Sequence, residues 1–219
     1  MADFERILTG LGVKVTAVAL DRAYEHSATF LSRLWSKNKD VPVAEHVRAI
    51  LAAVDSGLPA RVPPEAMAAL VDAYAGPALL VPPTVDEGAR PALLRLRAEG
   101  LILALVSNTM RTPGATLRRV LDRFGLLDCF AHTTFSDEVG VRKPAPEIFL
   151  DTLRLVGGEP ETAVHVGDDA ILDVEGAQRA GLRAVQVVGR GGDTSERPAD
   201  HTITRLGELP AALASLEAE

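Results

Sequence analysis

The sequence predicts an α/β protein in which a doubly wound parallel sheet follows an N-terminal helical bundle. Apolar residues recur at helical spacing through residues 3–75, and prolines then cluster in residues 76–84. From residue 101 onward, short apolar runs alternate with helical patterns, and this alternation favours a parallel sheet. We therefore expect a helical domain in residues 1–80 and an α/β domain in residues 81–219.

The helical prediction rests on four apolar stripes whose period is close to that of an α-helix. The stripes begin at Phe4, Val18, Val43 and Met67. The proline-rich segment 76–84 is interpreted as a linker, because proline cannot continue a helix and biases the residue before it toward extended conformations.

The α/β prediction rests on short apolar runs bounded by glycine and polar residues. We expect strands over residues 101–106, 130–135, 163–166 and 184–188, with helices over residues 113–124, 146–156 and 170–180 between them. Ligands of such sheets bind beyond the carboxyl ends of the strands. The loops that begin at Ser107 and Gly167 are therefore the first places to look for a functional site.

Composition limits the function classes. The 219 residues are 47% apolar and carry a formal net charge of −7, with no basic run of the kind that nucleic acids or anionic membranes attract. Cys129 is the single cysteine, so no intramolecular disulfide or cysteine-rich zinc site can form. We expect a globular cytoplasmic protein, a monomer or homodimer, with no nucleic-acid or membrane partner.

Two segments offer groups that could bind a phosphoryl oxygen. Ser107, Asn108 and Thr109 follow a buried strand and precede a helix, where a hydroxyl and backbone N–H groups can hold such an oxygen. Their alternative role is ordinary turn and capping chemistry. Lys143 lies in a loop that Pro144 and Pro146 stiffen, so its ammonium group could be presented to a phosphate. Its alternative role is that of a solvated surface lysine.

Three carboxylates follow the strand at residues 163–166. Asp168 and Asp169 are adjacent, and Asp173 lies in the first turn of the next helix. Adjacent anions repel each other, and Mg²⁺ would relieve that repulsion because it takes one or two carboxylates together with phosphate and water. The competing interpretation is that Asp169 caps the helix N-terminus.

Taken in order, these segments resemble the haloacid dehalogenase superfamily of hydrolases. The segments LALVSNT (residues 103–109), RKPAPEIF (142–149) and HVGDDAILD (165–173) are similar to the family's second, third and fourth motifs. The resemblance extends from about Pro82 to Leu209 and implies a Rossmann-like core. The N-terminal helices resemble the helical cap that closes over the active site in many members.

The resemblance implies an Mg²⁺-dependent phosphatase that acts on a small phosphorylated metabolite through a phosphoaspartyl intermediate. Asp168 and Asp169 would hold Mg²⁺, Ser107 and Lys143 would bind phosphoryl oxygens, and Asp173 would orient the lysine or a metal-bound water. Asn108 is compatible with this reaction and with hydrolysis of a 2-haloacid, which is the second enzymatic alternative. A non-catalytic binding or regulatory protein is the third alternative.

The family's first motif, DxDxT or DxGxT, supplies the nucleophilic aspartate, and we do not find it. Residues 13–20 are rich in β-branched side chains and end at Asp21, but Ala23 and Glu25 depart from the motif and the segment continues as a helical stripe. We expect an N-terminally truncated chain, in which the first strand and its nucleophile lie upstream of Met1. Turnover by the 219 residues is then expected to be weak or absent.

Overall fold

The computed structural model describes residues 2–189 and 198–217 as helices, strands and connecting loops. Contacts divide the chain into two compact units. The first comprises Met1–Pro83, Asn108–Val120 and Phe135–Gly140, and the second comprises Thr84–Ser107, Leu121–Thr134 and Val141–Glu219. The predicted domain boundary near residue 80 stays a prediction, because the first unit also includes two segments from later in the chain.

The N-terminal part of the first unit is helical, as the apolar stripes predict. Its helices are α1 (Ala2–Gly10), α2 (Ala17–Trp35), α3 (Val43–Val54), α4 (Leu58–Arg61), α5 (Pro64–Ala75) and α6 (Pro77–Leu80). The linker interpretation missed α6, because proline is tolerated in the first turn of a helix. Thr16 caps α2 by accepting a hydrogen bond from the Ala19 N–H. Asp21 lies within α2 and not at the end of a strand.

The core of the first unit is built mainly from the predicted stripes, but Val18, which begins the second stripe, is 60% exposed and lies outside it. Spacings of three and four residues place apolar side chains on one face of each helix, so these faces can pack together. The fully buried side chains include Phe4, Leu8, Leu20, Val47, Ile50, Leu51 and Leu70. Tyr24 and Tyr74 stack within the same region, with ring centroids 5.8 Å apart.

The remaining elements alternate between helix and strand, and this confirms the predicted fold class. They are α7 (Ala89–Ala98), β1 (Ala104–Ser107), α8 (Gly114–Arg123), β2 (His132–Phe135), α9 (Ser136–Val139), α10 (Pro146–Val156), β3 (Val164–Gly167), α11 (Gly176–Arg179), β4 (Arg183–Val187), β5 (His201–Ile203) and α12 (Leu209–Glu217). The helix expected over residues 170–180 divides into a π-helical segment, Ala170–Glu175, and α11.

Helices cover both faces of the strands in the second unit. Side chains alternate along β4, so that Ala184 packs with α10 and α11 while Val185 packs with α7 and α12. Ile148 and Phe149 are the large buried side chains on the first face, and Leu96 and Leu209 are among those on the second. This two-sided burial explains why the strands read as continuous apolar runs.

The strands form two hydrogen-bonded groups. β1 pairs with β2, whereas β3, β4 and β5 form a parallel sheet in which Val164 pairs with Arg183 and Val185 pairs with His201. Within residues 2–189 and 198–217, no strand pairs with the second edge of β1 or with the outer edge of β3. Residues of both strands remain partly exposed.

Replacing Ile50 by alanine is expected to lower the free energy of unfolding by about 2–5 kcal/mol, because truncating a fully buried side chain leaves a cavity. Urea denaturation followed by circular dichroism measures the loss. Val18→Ala is the control, since Val18 is 60% exposed and its truncation should change stability by no more than about 0.5 kcal/mol. Equal losses of stability in both variants would contradict the burial of Ile50 in the core.

Candidate active site

Three of the predicted site residues lie where strands of the second unit end. Ser107 is the last residue of β1, and Asp168 and Asp169 directly follow β3. Both aspartates are exposed and Ser107 is half-buried. Asn108 is also half-buried and begins the segment Asn108–Val120 of the first unit.

Lys143 connects two segments of the second unit through its side-chain ammonium group. Its Nζ donates to the Asp173 Oδ1 at 2.5 Å and to the Val106 carbonyl oxygen at 3.2 Å. The side chain is 12% exposed, so the interpretation of Lys143 as a solvated surface lysine is wrong. The segment before Pro144 thus brings its cation to the carboxyl end of β1 and to the acidic segment after β3.

Asp173 joins this cation to the imidazole of His165, which is 12% exposed. His165 Nε2 lies 2.8 Å from the Asp173 Oδ1, and the Asp173 Oδ2 accepts a hydrogen bond from the Asp169 N–H at 3.1 Å. The imidazole ring meets the Phe149 ring edge to face, with 4.9 Å between the centroids. His165 and Asp173 are therefore fixed by packing as well as by hydrogen bonds.

The electrostatics of this cluster favour a neutral histidine and an ionised aspartate. Burial lowers the pKa of His165 against the opposing effect of the hydrogen bond with Asp173, and the charge of Lys143 lowers it further. Burial alone would raise the pKa of Asp173, but the hydrogen bond from His165 and the Lys143 charge hold this pKa well below its usual range. A neutral His165 donates through Nε2, since the ionised carboxylate can only accept.

Asp169 has the capping role that the sequence analysis left open. Its Oδ1 accepts hydrogen bonds from the N–H groups of Ile171 and Leu172, at 2.9 and 2.8 Å. A cap of this kind satisfies backbone donors that have no partner within the helix. The cap fixes the start of the π-helical segment that presents Asp173.

Glycine is required at position 167 because the Asp173 side chain lies very close to the backbone there. A Cβ atom at position 167 would lie 2.2 Å from the Asp173 Cγ. No side chain fits at that distance, so glycine lets the Asp173 carboxylate fold back against the end of β3.

The carboxylates that follow β3 offer the oxygen ligands that Mg²⁺ prefers, although they supply few of them. The part of the chain that the structure describes contains no group of three or more His, Cys, Asp or Glu side chains that could hold a metal. Mg²⁺ needs only one or two carboxylates, and it takes its other ligands from water and phosphate. Asp168 is exposed, and the Oδ2 of Asp169 takes no part in the cap. The magnesium assignment of these two residues stays a prediction.

The sequence pattern predicts His165 as a core histidine and does not reveal its contact with Asp173 or the role of the Val106 carbonyl. A single histidine inside an apolar strand gives no sign that its ring contacts a carboxylate eight residues later. A backbone carbonyl carries no sequence signal at all. The available clue was the position of His165 at the start of the segment HVGDDAILD, one strand length before the acidic loop.

Comparison with known families identifies the chain over most of its length. The model of the haloacid dehalogenase-like hydrolase family matches residues 14–181. This range includes Ser107, Lys143 and the acidic segment 168–173. None of the helices in the described ranges is long and apolar enough to cross a membrane.

Curated relatives include a hydrolase-domain protein and a protein named as a phosphatase. The haloacid dehalogenase-like hydrolase domain-containing protein 3 of Mus musculus is 38% identical over 138 residues, which are 61% of this chain and 53% of that protein. The glyceraldehyde 3-phosphate phosphatase of Pyrococcus furiosus is 36% identical over 138 residues, which are 60% of this chain and 54% of that protein. The chain spans about half the length of these curated relatives.

Solved structures share the fold. A 2-haloacid dehalogenase from Pseudomonas syringae pv. Tomato DC3000 superposes with a TM-score of 0.68 at 25% identity, covering 98% of this chain and 89% of that one. A HAD phosphatase from Thermococcus onnurineus has a TM-score of 0.54 at 38% identity, covering 59% of this chain and 58% of that one.

Replacing Asp173 by asparagine is expected to lower the free energy of unfolding by about 3–5 kcal/mol, because the buried Lys143 charge loses its counter-ion. Urea denaturation at pH 7 measures this loss. Asp151→Asn is the matched control, since Asp151 pairs with Arg154 on the surface and such pairs contribute at most about 1 kcal/mol. A loss of similar size in both variants would contradict the buried ion pair.

Proposed function

The chain belongs to the haloacid dehalogenase-like hydrolase family, and from that premise we propose that it forms part of a magnesium-dependent phosphohydrolase acting on a small phosphomonoester. The observation that carries the proposal is the contact of Lys143 with Asp173 and with the end of β1. This contact holds a cation close to Ser107, where a phosphoryl group would bind. Relatives with phosphatase names support the same reaction class.

Each residue of the site has a chemical role in this proposal. Ser107 donates a hydrogen bond to a phosphoryl oxygen, Asn108 orients the same group, and Lys143 neutralises its charge. Asp173 keeps the Lys143 ammonium directed toward the site and is itself held by His165. Fixed cations and dipoles of this kind stabilise the charge that develops during phosphoryl transfer without reorganising.

Asp168 and Asp169 would hold Mg²⁺ at the end of β3. When bound, the ion neutralises phosphoryl charge and fixes the orientation of the substrate. The exposed position of both carboxylates leaves them accessible to a hydrated ion and to phosphate.

Turnover in this proposal needs a nucleophilic aspartate on a strand between β1 and β3. One edge of β1 and one edge of β3 have no strand partner in residues 2–189 and 198–217, and Lys143 contacts both the Val106 carbonyl of β1 and Asp173, which follows β3. Unpaired strand edges beside an apolar core leave backbone groups without partners. Asp21 lies in α2 and not at the end of a strand, so we do not assign it as this nucleophile. We therefore expect the 219 residues alone to turn over substrate weakly or not at all.

Hydrolysis of a 2-haloacid is the second candidate, and the structural similarity to a 2-haloacid dehalogenase favours it. Asp168 and Asp169 oppose it, because two exposed carboxylates would repel an anionic substrate in the absence of a metal ion. A non-catalytic binding protein is the third candidate and would keep phosphate binding without turnover. A small phosphorylated metabolite as ligand, a cytoplasmic location and a monomeric or homodimeric state stay predictions.

The test measures hydrolysis of p-nitrophenyl phosphate with and without Mg²⁺. It compares the 219-residue chain with one extended through the upstream reading frame to an apolar strand ending in DxDxT or DxGxT. We expect Mg²⁺-dependent activity in the extended chain and at least about 100-fold less after Lys143→Met, because a fixed charge is lost from the transition state. Lys14→Met is the control, since Lys14 is exposed and should leave the rate unchanged.

The outcomes separate the candidates. Release of halide from a 2-haloacid without Mg²⁺, in place of phosphate ester hydrolysis, would favour the dehalogenase. Phosphate binding without turnover in either chain would favour the binding protein. An upstream frame without such a strand would contradict the expected position of the nucleophile.

A further inference from the structure

A buried chain of hydrogen bonds in the first unit ends on Asp40, which lies in the loop after α2. The Asp137 N–H donates to the Thr109 Oγ1 at 3.1 Å, and Thr109 Oγ1 lies 3.1 Å from the Ser136 Oγ. Ser136 Oγ in turn donates to the Asp40 Oδ2 at 2.6 Å. Asp40, Thr109, Ser136 and Asp137 are all at most 6% exposed.

The hydrogen-bond partners of Ser136 determine where its hydroxyl donates and where it accepts. Ser136 donates its only hydroxyl proton to the Asp40 carboxyl, so toward Thr109 the Ser136 oxygen can only accept. Ser136 Oγ also accepts the Thr109 N–H at 2.7 Å. Ser136 therefore holds both the backbone and the side chain of Thr109, the residue that follows Asn108.

Asp40 is itself held at several points. Its Oδ1 accepts hydrogen bonds from the Trp35 Nε1 at 3.2 Å and from the Val41 N–H at 2.9 Å. Its N–H donates to the carbonyl oxygen of Gly140 at 3.0 Å. Gly140 has a φ of 75°, which glycine adopts without strain, and this turn lies three residues before Lys143.

A second set of contacts fastens the same two segments. The Gly114 N–H donates to both carboxyl oxygens of Asp137, at 3.2 and 3.3 Å. Arg118 binds Glu138 through both terminal nitrogens, at 2.6 and 2.8 Å. These contacts fasten the segments 108–120 and 135–140 to each other.

We infer that Asp40 and Ser136 are positioning residues, which set the backbone of the phosphoryl-binding segment at Asn108 from a loop of the helical region. The inference rests on the proposed function, because that proposal assigns phosphoryl binding to Ser107 and Asn108. Neither Asp40 nor Ser136 contacts the phosphoryl group in this account. They act through Thr109, which joins the hydrogen-bonded chain to Asn108 by a single peptide bond.

The test uses the full chain and two measurements, the dissociation constant for inorganic phosphate and the hydrogen-exchange rates of the Asn108 and Thr109 amides. Ser136→Ala removes the acceptor of the Thr109 N–H and is expected to speed exchange at Thr109 and to weaken phosphate binding about tenfold. Thr109→Val should weaken phosphate binding in the same way, whereas Thr109→Ser keeps the hydroxyl and should restore it.

Thr152→Val is the matched control for the loss of a buried hydroxyl. Thr152 Oγ1 donates to the Ile148 carbonyl oxygen at 2.7 Å and lies 2.7 Å from the Thr134 hydroxyl, which can donate to it. We expect it to lower stability without changing phosphate affinity or exchange at Asn108 and Thr109.

The results decide the inference and the proposed function separately. Unchanged phosphate affinity in Ser136→Ala and Thr109→Val, with measurable binding to the unaltered chain, would overturn the inference. Failure of the unaltered chain to bind phosphate would overturn the proposed function. In that case the amide hydrogen-exchange rates of Asn108 and Thr109 test the inference. Faster exchange in Ser136→Ala supports it, and unchanged exchange overturns it.

Discussion

The carboxylate of Asp173 is the contact on which the site in the second unit depends. It accepts hydrogen bonds from Lys143 and His165, which come from different segments of the chain, and its second oxygen accepts the Asp169 N–H. Without this acceptor the Lys143 ammonium would be a buried charge with no counter-ion, which is costly in a protein interior. The position of Lys143 relative to β1 and β3 therefore follows from one ionised side chain.

This contact has local requirements that the sequence meets. Gly167 leaves the space that the Asp173 carboxylate occupies, and Asp169 caps the segment that carries Asp173. The cap uses one oxygen of Asp169, so capping and metal binding are compatible roles for this residue. In the first unit, Asp40 and Ser136 provide an independent buried network around Thr109.

The sequence predicted the elements whose signals are local. The bounds of α10 agree with the prediction because Pro146 starts the helix and Gly157, with a φ of 70°, ends it. Ser107 and Asp168 were placed at the ends of strands by the change from apolar to polar residues. The contact between Ser136 and Asp40 joins residues 96 positions apart, and no local pattern reports a pairing of that kind.

We propose that Asp173 holds Lys143 as the cation that meets a phosphoryl group. The most direct measurement follows the side-chain NMR signal of Lys143 while inorganic phosphate is added to the full chain. We expect a saturable shift of this signal that disappears in Asp173→Asn, while the signal of the exposed Lys14 stays unchanged. A Lys143 signal that does not respond to phosphate would contradict the account.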